Sequence, residues 1–357
     1  MTHLSENTQA ILLLTAPLTL GRSEAAREVL TPGEYKKLAR VLYETHHQPS
    51  DLLGSDGGRL IDDCQGSVDP ERLKRLLGRG FLLSQALERW QARAMWVVSR
   101  ADKDYPARLR ARLKDNTPAV LYGCGDHALL GHSGLAVVGS RNADQTLTQY
   151  TESVGRLAAQ ARIMLISGGA RGIDQTAMLG ALSQGGTAAA VLADSLESMA
   201  LQRHHREYLM NGRLVLVSPY DPSASFHVGN AMQRNKLIYA LSDAALVIHA
   251  DYQKGGTWAG AAEQLEKLHF VPVFVHVNTP PDQGCVGLQK LGAQIWPEPH
   301  DPDGLSQVLS TPAKIDPPQV RQTSLPFVLP ETRTSDQDST PHTPDGSDER
   351  LEPPSLG

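Results

Sequence analysis

From residue 135 to residue 277 short apolar runs alternate with longer mixed ones. The runs LAVVG (135–139), RIMLIS (162–167), TAAAVLA (187–193), RLVLVS (213–218), AALVIHA (244–250) and VPVFVHV (271–277) are apolar at consecutive positions. That pattern predicts strands covered on both faces. The segments between them, such as QYTESVGRLAAQA, DQTAMLGALSQGG and TWAGAAEQLEKL, are long enough for crossover helices. The alternation predicts an α/β fold over residues 95–300: a Rossmann-like, doubly wound, mostly parallel sheet. Two further strand-like pieces, MWVVS and PAVLYGCG, precede it and flank a turn at Tyr105-Pro106.

Residues 1–92 read as a small helical domain. Thr31-Pro32-Gly33-Glu34 places a capping hydroxyl, a proline and an acid in the order of a helix start ahead of YKKLARVLYET. Asp69-Pro70-Glu71 repeats the signal before RLKRLL, and Gly78-Arg79-Gly80 ends that helix before FLLSQALERWQARA. Helical hairpins with basic, glycine-containing turns can grip a nucleic-acid backbone, so Arg79 is a candidate contact weighed against plain packing. At the other end, residues 301–357 lose all periodicity and turn rich in Pro, Ser, Thr and Asp, which predicts a disordered tail.

The 357 residues, 40% of them hydrophobic, suffice for one large domain and smaller parts. Cys64, Cys124 and Cys285 are widely spaced and form no C-x-x-C pair, which argues against a disulfide framework or a thiolate zinc site and for the cytosol. The apolar run Ala10 to Leu20 is too short to span a bilayer and follows no basic segment, so neither export nor membrane insertion is expected. The net charge of −5 is not that of a typical nucleic-acid binder, but residues 311–357 carry four basic against eight acidic side chains. The body is near neutral, and a local basic pocket is compatible with the total.

In such a sheet ligands bind beyond the carboxyl ends of the strands, where loops feed helix N-termini. Three loops have that position: Gly139-Ser140-Arg141-Asn142, Ser167 to Asp174 (SGGARGID), and Lys254-Gly255-Gly256-Thr257. Glycines let the backbone approach an anion, successive N–H groups form a concave donor surface, and arginine adds a planar fork. One such loop alone is most simply a tight turn; three converging on one edge favour an anion site. Only one glycine stands in GSRNAD, and no acid follows at the ribose position, so a dinucleotide cofactor is disfavoured and no cofactor is expected.

The successive stretches VVGSRNA, SGGARGIDQTAMLGALSQGG, QRNKLIYALSDAALVIHA and KGGTWAGAAEQLEKL resemble the motifs of the DNA-processing protein A (DprA/Smf) family. The upstream WVVSRADKDYPARLRARLKDNTPAVLYGCGD resembles its lead-in. The likeness spans roughly residues 95–277. It implies an extended Rossmann-like fold that binds single-stranded DNA in a positively charged pocket, self-associates as a dimer and hands the strand to the RecA recombinase. The matching positions are Gly139, Ser140, Arg141, Ser167, Gly168, Arg171, Gly172 and Asp174, with Arg234 and Asn235 from the Arg-Asn pair. Gly169, Lys254, Gly255, Gly256 and Thr257 complete the expected phosphate-binding set, with Lys254 and Arg234 on its rim. Phe226 is the candidate for base stacking, with a core phenylalanine as the alternative.

Three features depart from the family pattern. The third loop reads Gly255-Gly256-Thr257 followed by Trp258, a polar tail stands where a winged-helix domain is usual, and LESMALQRHHREYLMNGR replaces a tyrosine- and proline-rich stretch. Asp174 reads as a helix cap and loop anchor rather than a catalytic acid. His204, His205 and His227 lack metal-ligand spacing and read as solvent-facing or DNA-proximal; no metal is expected.

An enzymatic rival exists among related nucleotide hydrolases, which resemble this chain at Gly-Gly-Thr and place a glutamate three residues after the threonine. Gly260 holds that position here, and Glu263 stands three residues further on, so no catalytic residue is assigned. A second rival is a regulatory partner or antitoxin in a phage-defence system, with a toxin-like protein as its partner. In the tail, Gln322-Thr323-Ser324-Leu325-Pro326-Phe327 is similar to the short peptide with which replication proteins dock on the sliding clamp.

Overall fold

A computed structural model describes residues 4–18, 28–277 and 281–310. Its strands are β1 (Met95–Ser99), β2 (Val120–Gly125), β3 (Gly134–Gly139), β4 (Met164–Ser167), β5 (Ala188–Val191), β6 (Leu214–Ser218), β7 (Ala244–His249), β8 (Val273–Val275) and β9 (Gln294–Ile295). They form one sheet in the order β1-β2-β6-β5-β4-β3-β7-β8-β9. From β6 through β9 all neighbours are parallel; β1 and β2 add an antiparallel edge beside β6. The mostly parallel, Rossmann-like sheet expected from the alternation is present, because strands such as β3 and β6 are buried along their whole length and helices cover both faces.

The order of the strands locates the site. The chain lays β4, β5 and β6 on one side of β3 and then returns to lay β7, β8 and β9 on the other. The order therefore reverses between β3 and β7, which opens a crevice at their carboxyl ends. β9, only two residues long and exposed, has no apolar run to announce it.

The helical N-terminal stretch follows its punctuation closely. Helix Pro32–Glu44 has the complete capping box, in which the Thr31 hydroxyl accepts from the Glu34 N–H (3.2 Å) and the Glu34 carboxylate accepts from the Thr31 N–H (2.8 Å). Asp69 caps helix Pro70–Leu77 in the same manner, and the chain breaks before helix Gly80–Gln91. Ile11, Leu12 and Leu13 from helix Glu6–Thr15, with Leu83, Ala86 and Trp90, pack into the cluster that covers one face of the sheet. Trp90 meets Tyr122 of β2 edge to face at 5.2 Å. Leu14, Leu38, Leu42 and Leu73 form a smaller cluster of their own.

Arg79 belongs to that packing and not to a nucleic-acid surface. Its guanidinium donates to the carbonyls of Leu13, Ala16 (3.0 Å) and Leu76 (3.3 Å), which ties helix Gly80–Gln91 to the end of the first helix. The first residues of the expected tail are ordered instead: Pro302–Ser310 is a helix of about two and a half turns whose Leu305 is fully buried against the sheet cluster, and its apolar pattern of Leu305, Val308 and Leu309 is too short to announce it. The remainder of that tail, including Gln322 to Phe327, lies outside the described residues. Among the described residues no helix is long and apolar enough to cross a membrane.

Candidate nucleic-acid interface

The three glycine-containing loops converge at the carboxyl ends of β4, β3 and β7, which are neighbours in the sheet. They are joined to one another by hydrogen bonds. Thr257 Oγ1 donates to the Gly139 carbonyl (3.0 Å), linking the third loop to the first. The Ser140 carbonyl accepts from the Ile173 N–H (3.4 Å), linking the first to the second. Gly172 makes that contact feasible: it sits at φ +86°, and a Cβ there would come within 2.6 Å of the Arg141 carbonyl and 2.8 Å of the Ser140 carbonyl.

The second loop carries unused donors. Among the described residues the N–H groups of Gly169, Arg171 and Gly172 have no hydrogen-bond acceptor, while that of Ala170 is turned to the Asp174 carboxylate. They lead into helix Ile173–Ser183, whose N-terminus has no side-chain cap. Helix Gly255–Glu263 of the third loop is likewise uncapped, at Lys254. Two uncapped helix N-termini and three free amides leave a cluster of unused backbone donors at one edge of the sheet, an arrangement whose partial positive charge attracts anions. Arg141, Arg171 and Lys254 are exposed, and none of them pairs with a carboxylate among the described residues. Phe226 is 54% exposed, which excludes the core reading, and the Arg141 guanidinium carbon lies 5.9 Å from its ring centroid.

Other members of the expected set are placed beneath this surface. Ser167 is buried, and its hydroxyl donates to the Val137 carbonyl (2.6 Å), so its side chain is a structural pin. The Gly168 N–H donates to Asp174 Oδ2 (3.1 Å) and its carbonyl accepts from Arg234 Nη1 (2.6 Å). Arg234 Nη1 also donates to the Val191 carbonyl (2.6 Å), so Arg234 lies under the second loop rather than on a rim. Burial pushes its guanidinium down and the Asp174 carboxyl up, each opposed by the attraction between them. Asp174 anchors the loop, as expected, but caps nothing: it sits inside the first turn of its helix. Asn235 donates to the Gly256 carbonyl (3.0 Å), a second tie from helix Val228–Leu241 to the loops.

The histidines do other work. His227 caps helix Val228–Leu241 by accepting from the Gly229 N–H (3.1 Å). His205 is buried, contrary to expectation, with Nδ1 3.1 Å from the Met199 carbonyl, and burial lowers its pKa. Among the described residues no three His, Cys, Asp or Glu side chains gather as a metal site. A Cβ on Gly260 would already stand 3.0 Å from Asn235 Nδ2, and Glu263 pairs with Lys236 at 3.2 Å. The sequence reading omits Tyr252, a 52% exposed aromatic in the loop after β7; its signal is an aromatic three residues past a parallel strand.

The family model described as DNA recombination-mediator protein A matches residues 96–303. Protein Smf of Escherichia coli K12 is 33% identical over 208 residues, covering 55% of this chain and 53% of that protein. The DNA processing protein DprA of Streptococcus pneumoniae R6 is 30% identical over 184 residues, covering 50% of this chain and 64% of that protein. The chain thus spans less than two thirds of the length of these curated relatives. The X-ray structure of DNA processing protein A from Streptococcus pneumoniae superposes with a TM-score of 0.63 at 20% identity, covering 86% of this chain and 98% of that one, a likeness of fold.

Proposed function

The chain belongs to the DNA recombination-mediator protein A family, and we propose that its three joined loops bind the backbone of single-stranded DNA without catalysing a reaction on it. The observation that carries this reading is the group of unused N–H donors at Gly169, Arg171 and Gly172, beside the side chains of Arg141 and Arg171, which pair with no carboxylate among the described residues. Phosphates take such donors irrespective of sequence. Phe226 supplies a stacking face beside one of the arginines, and a splayed single strand, unlike a stacked duplex, offers its bases to it. Arg141, Arg171 and Lys254 contact phosphate; Arg234, Asn235, Asp174 and Thr257 hold the loops in register.

The non-catalytic part of the reading rests on Gly260. A glutamate at that position would have to displace Asn235, which binds the third loop, and Glu263 is occupied by Lys236. The family's description as recombination mediators supports delivery of the bound strand to a RecA-type recombinase.

The test is a salt-titrated comparison of single-stranded DNA, duplex DNA and nucleoside monophosphates. Preference for the single strand, with affinity falling linearly in log salt, is expected. Equal or tighter binding of a mononucleotide, or release of base from it, overturns the reading.

A further inference from the structure

We infer that Tyr252, seated on Trp258, is a second nucleobase-stacking platform, on the far side of the phosphate-binding loops from Phe226. This rests on the proposal that those loops hold a single-stranded polynucleotide. Tyr252 lies in the loop that leaves β7, the strand adjacent to β3, and Lys254 and the uncapped helix start at Gly255 follow within three residues. A strand passing these phosphate contacts therefore brings a base to Tyr252, while Phe226 meets Arg141 at the first loop, on the other strand of the crevice.

The ring is held and open at once. Trp258 meets it edge to face, with centroids 5.0 Å apart and planes 70° apart, and Trp258 is itself packed against the core cluster of that side of the sheet. Gly287 completes the seat: a Cβ there would lie 2.6 Å from both Tyr252 Cε2 and Trp258 Cη2, so any larger residue would displace both rings. Gln253 Nε2 donates to the Tyr252 hydroxyl (3.3 Å), a further restraint on the side chain. Despite these contacts the ring is 52% exposed. An aromatic that is fixed from behind and open in front loses little entropy when a base stacks on it.

The experiment measures the affinity of the full chain for oligothymidine and for the same strand made abasic at successive single positions. Tyr252→Ala should weaken oligothymidine binding about tenfold, with the salt slope unchanged, and Tyr252→Phe should restore it. Wild-type protein should lose affinity at two separated abasic positions, and Tyr252→Ala should abolish the loss at one of them. Wild-type affinity in Tyr252→Ala, while Arg141→Ala and Arg171→Ala bind weakly, overturns the platform and leaves the phosphate site standing. Unchanged binding in all three variants overturns both.

Discussion

The guanidinium of Arg141 rests 5.9 Å from the centroid of the Phe226 ring, although the two residues are 85 positions apart in the chain and one follows β3 while the other precedes helix Val228–Leu241. On the proposed reading the pair combines a charge for phosphate with a face for a base. The two functions are separable in solution. Arg141→Ala should weaken single-stranded DNA binding and reduce the slope of log affinity against log salt by about 0.7, the value for one phosphate contact on a single strand. Phe226→Ala should cost about 1–3 kcal/mol of binding and leave that slope unchanged. Salt-titrated fluorescence anisotropy reads both.

Arg234 gives the opposite signature. Its Nη1 holds the carbonyls of Gly168 and Val191, and its charge faces the buried Asp174. Arg234→Met leaves a buried carboxyl group without its partner, for which about 3–5 kcal/mol of stability is the ordinary cost. DNA affinity should fall with it because the second loop loses its support, yet the salt slope should match that of the wild type. A slope lowered by about 0.7 would instead make Arg234 a direct phosphate contact. Denaturant melts alongside the binding titration distinguish the two roles.

Why the fold was legible and half the site roles were not is a matter of range. Strand runs such as LAVVG and helix starts such as Thr31-Pro32-Gly33-Glu34 are local signals, and the structure realises them at β3 and in a full capping box. The convergence of the loops follows from strand order, which the βαβ alternation implies. The division of arginines into outward and inward ones is set by contacts remote in sequence: Arg234 meets a carbonyl 66 residues away, and Arg79 one 63 residues away. Both stand in glycine- or asparagine-flanked contexts much like that of Arg141, so local chemistry does not distinguish them. Phe226 was undecidable for the same reason, since its segment shows no period. Tyr252 has no periodic signature in the sequence because one aromatic in a loop carries no pattern; its setting comes from Trp258 and Gly287 behind it.

Gly172 is the most exacting position of the second loop. It takes φ +86°, where an L side chain is strained, and it touches the backbone of Arg141. Gly172→Ala should destabilise the protein by about 1 kcal/mol or more and weaken DNA binding further than that loss alone, because the first and second loops are forced apart. Gly185→Ala is the control, since it also has positive φ (+79°) but open space at its Cβ. It should lower stability with little change in binding.

The hydrolase alternative makes its own prediction. Were Glu263 a catalytic carboxylate, Glu263→Ala would abolish release of base from a nucleoside monophosphate. Its pairing with Lys236 (3.2 Å), in a groove of about 290 Å³ lined also by Met232 and Ala259, makes it a surface tie between two helices. Chromatographic assay should detect no base release from wild type, and Glu263→Ala should leave single-stranded DNA affinity unchanged.

Acid sensitivity should concentrate at one carboxylate of the helical N-terminal stretch. Glu34 accepts from both terminal nitrogens of Arg72 (2.7 and 3.2 Å) and from the Thr31 N–H and hydroxyl (2.8 and 2.9 Å). The Arg72 bonds first, and then those from Thr31, hold its pKa down, from the ordinary 4.5 to about 2. A carboxylate whose folded pKa lies below its unfolded one binds fewer protons in the folded state, so its contribution is complete above about pH 4.5 and is lost as pH falls through about 2. Arg72 also donates to the carbonyls of Glu28 and Val29, so the pair joins the start of helix Pro32–Glu44 to helix Pro70–Leu77. Glu34→Gln should therefore lower the unfolding midpoint at pH 7. The difference from wild type should shrink below pH 4 and be nearly gone at pH 2. A constant difference across that range would mean that the carboxylate contributes through shape alone, and thermal melts at matched ionic strength decide between the two.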